Sequence, residues 1–162
     1  MLIVWGIGIA CVLLFGFTVF FGAPFLPTLA HRQVDALKLL DLKPGELLLE
    51  LGSGDGRLLK EAAKLGIRSI GYELNPLLVV YSRIKLLRYH KLTSVKCTNY
   101  WTQKLPKAQG MYVFLLNPYM EKLDKKLAKE AHKPVKVVSF AFEIPGKKAT
   151  KEINGMRLYV YN

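Results

Sequence analysis

The chain has 162 residues, enough for one domain with its own core, and two cysteines, too few to imply a disulfide framework. It is 51% hydrophobic, more than a soluble chain of this size usually carries, and its 24 Lys and Arg against 12 Asp and Glu give a formal net charge of +12. No internal repeat or low-complexity segment divides it.

The excess of apolar residues sits at one end. Residues 1–30 hold no Lys, Arg, Asp or Glu, so everything from Arg32 onward carries the whole net charge. Residues 2–22, LIVWGIGIACVLLFGFTVFFG, are apolar or small apart from Thr18. As a helix such a run spans roughly 30 Å, the hydrocarbon thickness of a bilayer. A cleaved signal peptide would need a basic n-region and a shorter apolar core, and a buried core helix would need a polar face. The run is therefore expected to be a retained transmembrane helix. Arg32 and Lys38 follow it while only the terminal amine precedes it, which puts the remaining domain on the cytoplasmic (or equivalent) side. A domain this basic beside a bilayer is expected to meet anionic lipid headgroups. Nucleic acid is disfavoured: YSRIKLLRYHKL (81–92) has charge and aromatics, but Ile84, Leu87 and Leu92 read as a core face with a solvated basic back.

GAPFLPT (22–28) follows as an ordered connector with Pro24 and Pro27. HRQVDALKLLDL (31–42) has apolar positions at 34, 37, 39, 40 and 42, a short amphipathic helix ended by Lys43-Pro44-Gly45. Strand and helix then alternate. Strands are expected at 46–51, 68–74, within 94–101, at 110–116 and at 135–144, and helices at 57–66, 76–91 and 119–133. Gly66 caps one helix and Pro76 opens another. The tail KATKEINGMRLYVYN reads as a hairpin with Asn154-Gly155 in a type I′ turn. The pattern specifies an α/β, Rossmann-like, mainly parallel sheet with a C-terminal antiparallel hairpin at one edge, preceded by one N-terminal transmembrane helix. The organisation is then 1–22 membrane helix, 23–45 connector and short helix covering the active site, and 46–162 the α/β domain.

LLLELGSGDGR (47–57) carries the chemistry. A buried strand ends at Glu50, and Gly52, Gly54 and Gly56 follow at every second position. The dinucleotide fingerprint is G-x-G-x-x-G, whose helix N-terminus receives a pyrophosphate. Here the spacing is E-x-G-x-G-x-G. A carboxylate at Glu50 repels a pyrophosphate and attracts an ammonium. A tight turn with no ligand would need one glycine rather than three. In GYELNP (71–76), Glu73 ends the second strand, where a carboxylate can accept both hydroxyls of a ribose. A cationic amino-acid head, a ribose and no phosphate describe S-adenosylmethionine. No metal site is expected.

ELGSGDGR and GYELNP resemble the first two motifs of class I, seven-strand S-adenosylmethionine-dependent methyltransferases, over roughly residues 35–162. The resemblance implies that Gly52, Ser53 and Gly54 pack under the cofactor, that Glu50 serves its methionine end and that Glu73 and Leu74 border the ribose. The family often has an acid after the third strand for the adenine amino group; Asn99-Tyr100-Trp101 stand there instead, and an amide oxygen could accept the same bond. With the apolar run, GAPFLPT, FLLNPYM (114–120) and SFAFEIP (139–145) included, the chain is similar to the small membrane-anchored protein-lysine methyltransferases whose mitochondrial members modify the adenine nucleotide translocase and the ATP synthase c-ring protein. That similarity implies that Pro24, Phe25, Pro27 and Thr28 close over the cofactor.

A lysine acceptor must first lose its proton, and candidate groups for holding it lie at strand ends. Asn117, Pro118 and Tyr119 follow the fourth strand and are expected to line the acceptor channel, although Tyr119 could equally be a core aromatic capping the next helix. Glu143 is either an acceptor-side carboxylate or a surface residue. The expected function is methylation of a lysine on a membrane-associated protein. Two alternatives stand beside it. Asn117-Pro118-Tyr119 also resembles the N-P-P-Y motif of methyltransferases acting on nucleic-acid or amide nitrogens, and a methyltransferase-like domain could serve as a non-catalytic assembly factor of a membrane complex.

Overall fold

The computed structural model describes residues 30–162 together with Met1, Trp5 and Gly6. The apolar run at 2–22 and the connector with Pro24, Phe25, Pro27 and Thr28 thus lie outside the described residues, apart from Trp5 and Gly6. Among the described residues no helix is long and apolar enough to cross a membrane.

Seven strands form one sheet. They are β1 (Leu47–Leu51), β2 (Arg68–Glu73), β3 (Thr93–Cys97), β4 (Gly110–Val113), β5 (Val135–Phe140), β6 (Lys151–Ile153) and β7 (Met156–Tyr161). Their order is β3-β2-β1-β4-β5-β7-β6. The first five run parallel, and β7 is antiparallel to both β5 and β6. The hairpin closes on Asn154 (φ 51°) and Gly155 (φ 78°), as the Asn-Gly pair predicts. The strand order reverses between β1 and β4, and in such sheets the crevice beyond the carboxyl ends at that point is where ligands sit.

Alternate residues of each strand supply the two faces. Leu49, Leu51, Met111, Val113, Val135 and Val137 pack against Met120, Leu123 and Leu127 of α4 (Met120–Glu130). On the other face Leu48, Tyr112 and Val138 meet α1 (Ala30–Leu40) and α2 (Arg57–Lys64) through Ala36, Leu39, Leu40, Leu58 and Ala62. The first helix is thus part of the same core as the sheet. It uses Ala36 where the spacing pointed to Val34, which is exposed. It runs antiparallel to the strands: Arg32 lies over the Phe140 ring at the carboxyl end of β5, while Lys136 at its amino end donates to the Leu40 carbonyl at 2.8 Å. Asp41, at φ 42°, turns the chain away.

The helix after β2 departs from expectation. α3 (Pro76–Lys85) starts on an Asn75 cap and ends six residues early, passing into a 3₁₀ turn at Leu87–Tyr89. Its buried face is Val79 and Ser82, continued by Leu86. Ile84 and Leu87, expected in the core, are 63% and 64% exposed, and Leu92 is half-buried. The segment has two apolar stripes, and the pattern alone cannot choose between them. Packing chooses: Leu86 and Ser82 approach Gly56, where a Cβ would lie 3.0 and 3.1 Å from them.

Candidate functional site

The glycine loop leaves β1 at the switch point and stays stitched to β2. The backbone N–H groups of Gly52 and Ser53 both donate to the Tyr72 carbonyl at 2.9 Å. Gly71 permits this approach, since a Cβ there would lie 2.5 Å from the Ser53 side chain. Glu73 then clamps the loop from the neighbouring strand tip. One of its oxygens accepts the Gly54 N–H at 2.8 Å, and the other accepts the Asn75 N–H at 2.8 Å. Each carboxylate oxygen keeps a second acceptor position.

Glu50 is 6% exposed, and its Oε2 has no hydrogen-bond partner. Burial pushes its carboxyl well above the usual carboxylate range; the charges of Asp55 and Glu73 push it further up, and Arg57 opposes them. The buried Ser53 hydroxyl also lacks a partner. A buried, unpaired acid beside two other acids favours a positively charged guest. Gly52 follows Glu50 by two residues and is exposed. Its φ of 88° suits glycine, and a Cβ there would meet nothing within 4 Å. The strand tip therefore carries an orphaned acceptor at Glu50, and two residues on the loop leaves open space at Gly52, a combination that fits the ammonium-bearing end of an S-adenosylmethionine-type ligand. The three glycines do not share this job. Gly56 makes room for Leu86 and Ser82 instead.

At the β3 end, the Asn99 carboxamide oxygen accepts the Trp101 N–H at 3.0 Å and caps a short turn, Tyr100–Thr102. Its first acceptor position is thus used locally. Tyr100 and Trp101 meet at 4.7 Å between ring centroids with their planes tilted by 44°, and Trp101 lies 6.4 Å from Tyr119. Burial, then the proximity of Tyr119 and Glu73, pushes the Tyr100 hydroxyl far above its ordinary range. One aromatic cluster thus joins the segments that follow β3 and β4. The buried Lys126 of α4 holds it down by donating to the Gln103 carbonyl at 2.8 Å and to Glu130 at 2.7 Å.

Asn117, Pro118 and Tyr119 form a 3₁₀ turn after β4. Asn117 and Pro118 are exposed; Tyr119 is half-buried, packed on the core, and precedes α4. Leu74 is half-buried beside Glu73. Glu143 is a surface residue, ion-paired with Arg157 at 3.3 Å. Pro27 and Thr28 lie outside the described residues.

An acid–base knot lies under the loop, and sequence spacing does not reveal it. Asp55 receives Arg57 Nε at 2.8 Å and Lys85 Nζ at 2.8 Å, tying the loop to the end of α3. Burial alone would raise the Asp55 carboxyl, but the hydrogen bonds and charges of Arg57 and Lys85 outweigh it and hold it below its ordinary value. The signals are present in the DGR tripeptide and in Gly71, though neither names its partner. Among the described residues no group of three His, Cys, Asp or Glu could hold a metal ion.

Residues 50–151 match the model of the ANTKMT methyltransferase domain. The chain is 33% identical over 124 residues to the ATP synthase c-subunit lysine N-methyltransferase of Xenopus laevis, covering 75% of this chain and 54% of that protein. It is 35% identical over 126 residues to the adenine nucleotide translocase lysine N-methyltransferase of Mus musculus, again covering 75% and 54%. The chain thus spans about half the length of the curated relatives it matches. Among solved structures it is similar to an RNA methyltransferase from Salinibacter ruber in complex with S-adenosyl-L-homocysteine, at TM-score 0.76 and 25% identity, covering 84% of this chain and 92% of that one.

Proposed function

Because the chain belongs to the ANTKMT methyltransferase domain family, we propose that it transfers the methyl group of S-adenosylmethionine to a lysine of a membrane-associated protein. The observation that carries this is Glu50, whose buried Oε2 has no partner, two residues before the open space at Gly52. In this reading Glu50 takes the ligand's ammonium, and Gly52, Ser53 and Gly54 line its amino-acid end. Glu73 and Leu74 border the ribose, with Glu73 using the acceptor positions its backbone bonds leave free. Tyr100 walls the adenine side, and Asn99 reaches the adenine with whatever its capping bond spares. The bound sulfonium supplies an activated methyl for in-line displacement.

The rest of the task is positioning. An ammonium has no lone pair, so the acceptor lysine must lose its proton, and an apolar enclosure lowers a lysine pKa. In support of this reading, the Asn117-Pro118-Tyr119 turn follows β4, a strand of the switch point, its Asn117 is exposed, and Tyr119 lies 6.4 Å from Trp101. We assign Asn117 to orienting the amine and Tyr119 to excluding water. Residues 2–22 would anchor the chain as a single-pass helix, with the basic domain on the cytoplasmic or equivalent face among anionic headgroups. α1 directs its N-terminal end to the carboxyl edge of the sheet, which supports the reading that Pro27 and Thr28, upstream of it in sequence, cover the cofactor.

The likeness to an RNA methyltransferase favours a second acceptor class, RNA. One experiment separates the two. Purified protein, radiolabelled S-adenosylmethionine and isolated membranes or total RNA are incubated, and labelled species are hydrolysed and identified. Methyl-lysine from a membrane protein is the expected product. Label in nucleosides would support the RNA reading, and absence of cofactor binding by calorimetry would leave a non-catalytic scaffold.

A further inference from the structure

α3 turns an apolar stripe to solvent. Leu77, Val80, Tyr81 and Ile84 are each more than half exposed, at i, i+3, i+4 and i+7, the spacing of one helix face, and Leu87 in the turn that follows is exposed as well. The opposite side of the helix is already satisfied, by Val79 and Leu86 against Leu59 and Val95. This stripe is therefore surplus to the core. Its surroundings are basic. Between Glu73 and Glu121 the sequence contains no Asp or Glu, while Lys and Arg recur throughout. Arg88 and Lys91 are exposed just after the helix; on it, Arg83 is exposed but donates to the Val95 carbonyl at 2.7 Å, and Lys85 at its end is tied to Asp55.

We propose that this face of α3 lies in the surface of an anionic bilayer, with the aliphatic stripe among the acyl chains and the flanking Arg and Lys among the headgroups. Charge decides between the possible occupants. A second copy would set one basic flank against another. RNA would use the charge but not four aliphatic side chains, which neither stack nor hydrogen-bond. A lipid surface uses both, since its charge and its hydrocarbon are layered in that order. α3 is also linked to the ligand loop at both ends, through Asn75 and Glu73 to Gly54 and through Lys85 to Asp55. Membrane contact along α3 would therefore hold the mouth of the site at the headgroup level, where a lysine of a membrane protein emerges. This last step rests on the proposed lysine methylation; the lipid contact does not.

The test places a fluorescent label on Ile84→Cys in the full chain, with Cys11 and Cys97 replaced by Ser. A label on Ala128→Cys, exposed on α4 across the sheet, is the control. Proteins are reconstituted in phosphatidylcholine vesicles with and without about 30% phosphatidylglycerol, and quenching by nitroxide-bearing lipid and by aqueous iodide is compared. The expected result is strong lipid quenching and iodide protection at 84 only, greater in the anionic vesicles. Iodide quenching without lipid quenching would overturn the proposal. So would shielding from both quenchers, which would mean cover by residues 2–29 or by another copy, or protection conferred only by added RNA. A second arm uses the Ile84→Ser, Leu87→Ser variant. S-adenosylhomocysteine affinity should stay unchanged while methylation of a membrane-embedded acceptor falls about 5-fold or more and that of a soluble peptide does not. If no methyl transfer is found at all, the quenching result still decides the lipid contact.

Discussion

Glu50 is buried without a partner, and its protonation links stability to ligand binding. Its folded-state pKa is raised, so the apo protein binds a proton that the unfolded chain releases near the ordinary carboxylate value. By linkage, its contribution favours folding at low pH and is lost as pH rises toward the raised folded value. Glu50→Gln should therefore leave apo thermal stability at neutral pH unchanged or raised. The same variant should weaken cofactor binding by about 10-fold to 100-fold, the scale of a lost hydrogen bond to a charged group. Wild-type affinity should increase with pH over the range in which Glu50 ionises, and the variant should lack that dependence; calorimetry at several pH values reads both. Gly52 and Gly71 make a contrasting pair. Gly52→Ala puts a methyl into open space at φ 88°, costing about 1–2 kcal/mol of backbone strain and additionally blocking the ligand. Gly71→Ala forces Ser53 and Leu59 aside and should cost about 1–3 kcal/mol of stability through overpacking. Melting curves with and without S-adenosylhomocysteine separate them: Gly52→Ala should lose the larger share of ligand stabilisation, whereas Gly71→Ala should lower apo stability more and weaken ligand stabilisation only through its displacement of Ser53.

At the scale of elements, the site rests on how α2 and α3 meet the loop. The Asp55 knot joins the two helices, and its carboxyl is held below the ordinary range. A depressed carboxylate contributes stability above its unfolded pKa and loses it as pH falls through the folded value. Asp55→Asn should thus cost about 1–3 kcal/mol at neutral pH, much less in acid below the ordinary aspartate range, and flatten the acid limb of the stability profile measured by urea unfolding. The same contact explains why periodicity misleads at α3. Its sequence offers two helical stripes, and Gly56 lets Ser82 and Leu86 seat the less apolar of them. The first helix, by contrast, is legible because Leu37, Leu39 and Leu40 lie on a single face, although Ala36 rather than Val34 completes it.

For the whole molecule, the outstanding feature is separation: no charged side chain in residues 1–30 and the entire +12 in the remainder of the chain. If the apolar segment confines the domain to a bilayer, encounter with a membrane-borne lysine gains effective concentration. Removing residues 1–22 should leave S-adenosylhomocysteine affinity within about 2-fold and lower transfer to membrane-borne acceptors about 10-fold or more. Equal activity with and without the segment, measured by radiolabelled transfer, would count against tethering.

The alternation of strands and helices, the Asn-Gly hairpin and the two acids flanking a glycine loop were all readable in the sequence, because each depends on local spacing or on residues with special backbone freedom. The tertiary structure alone decided the relations between distant residues. These are Glu73 bonded to the loop, Asp55 bonded to Lys85, Gly71 against Ser53, and the aromatic cluster of Tyr100, Trp101 and Tyr119. They also include the choice of which stripe of α3 faces water. Periodicity describes a helix by itself, whereas burial is a property of the pair of surfaces that meet.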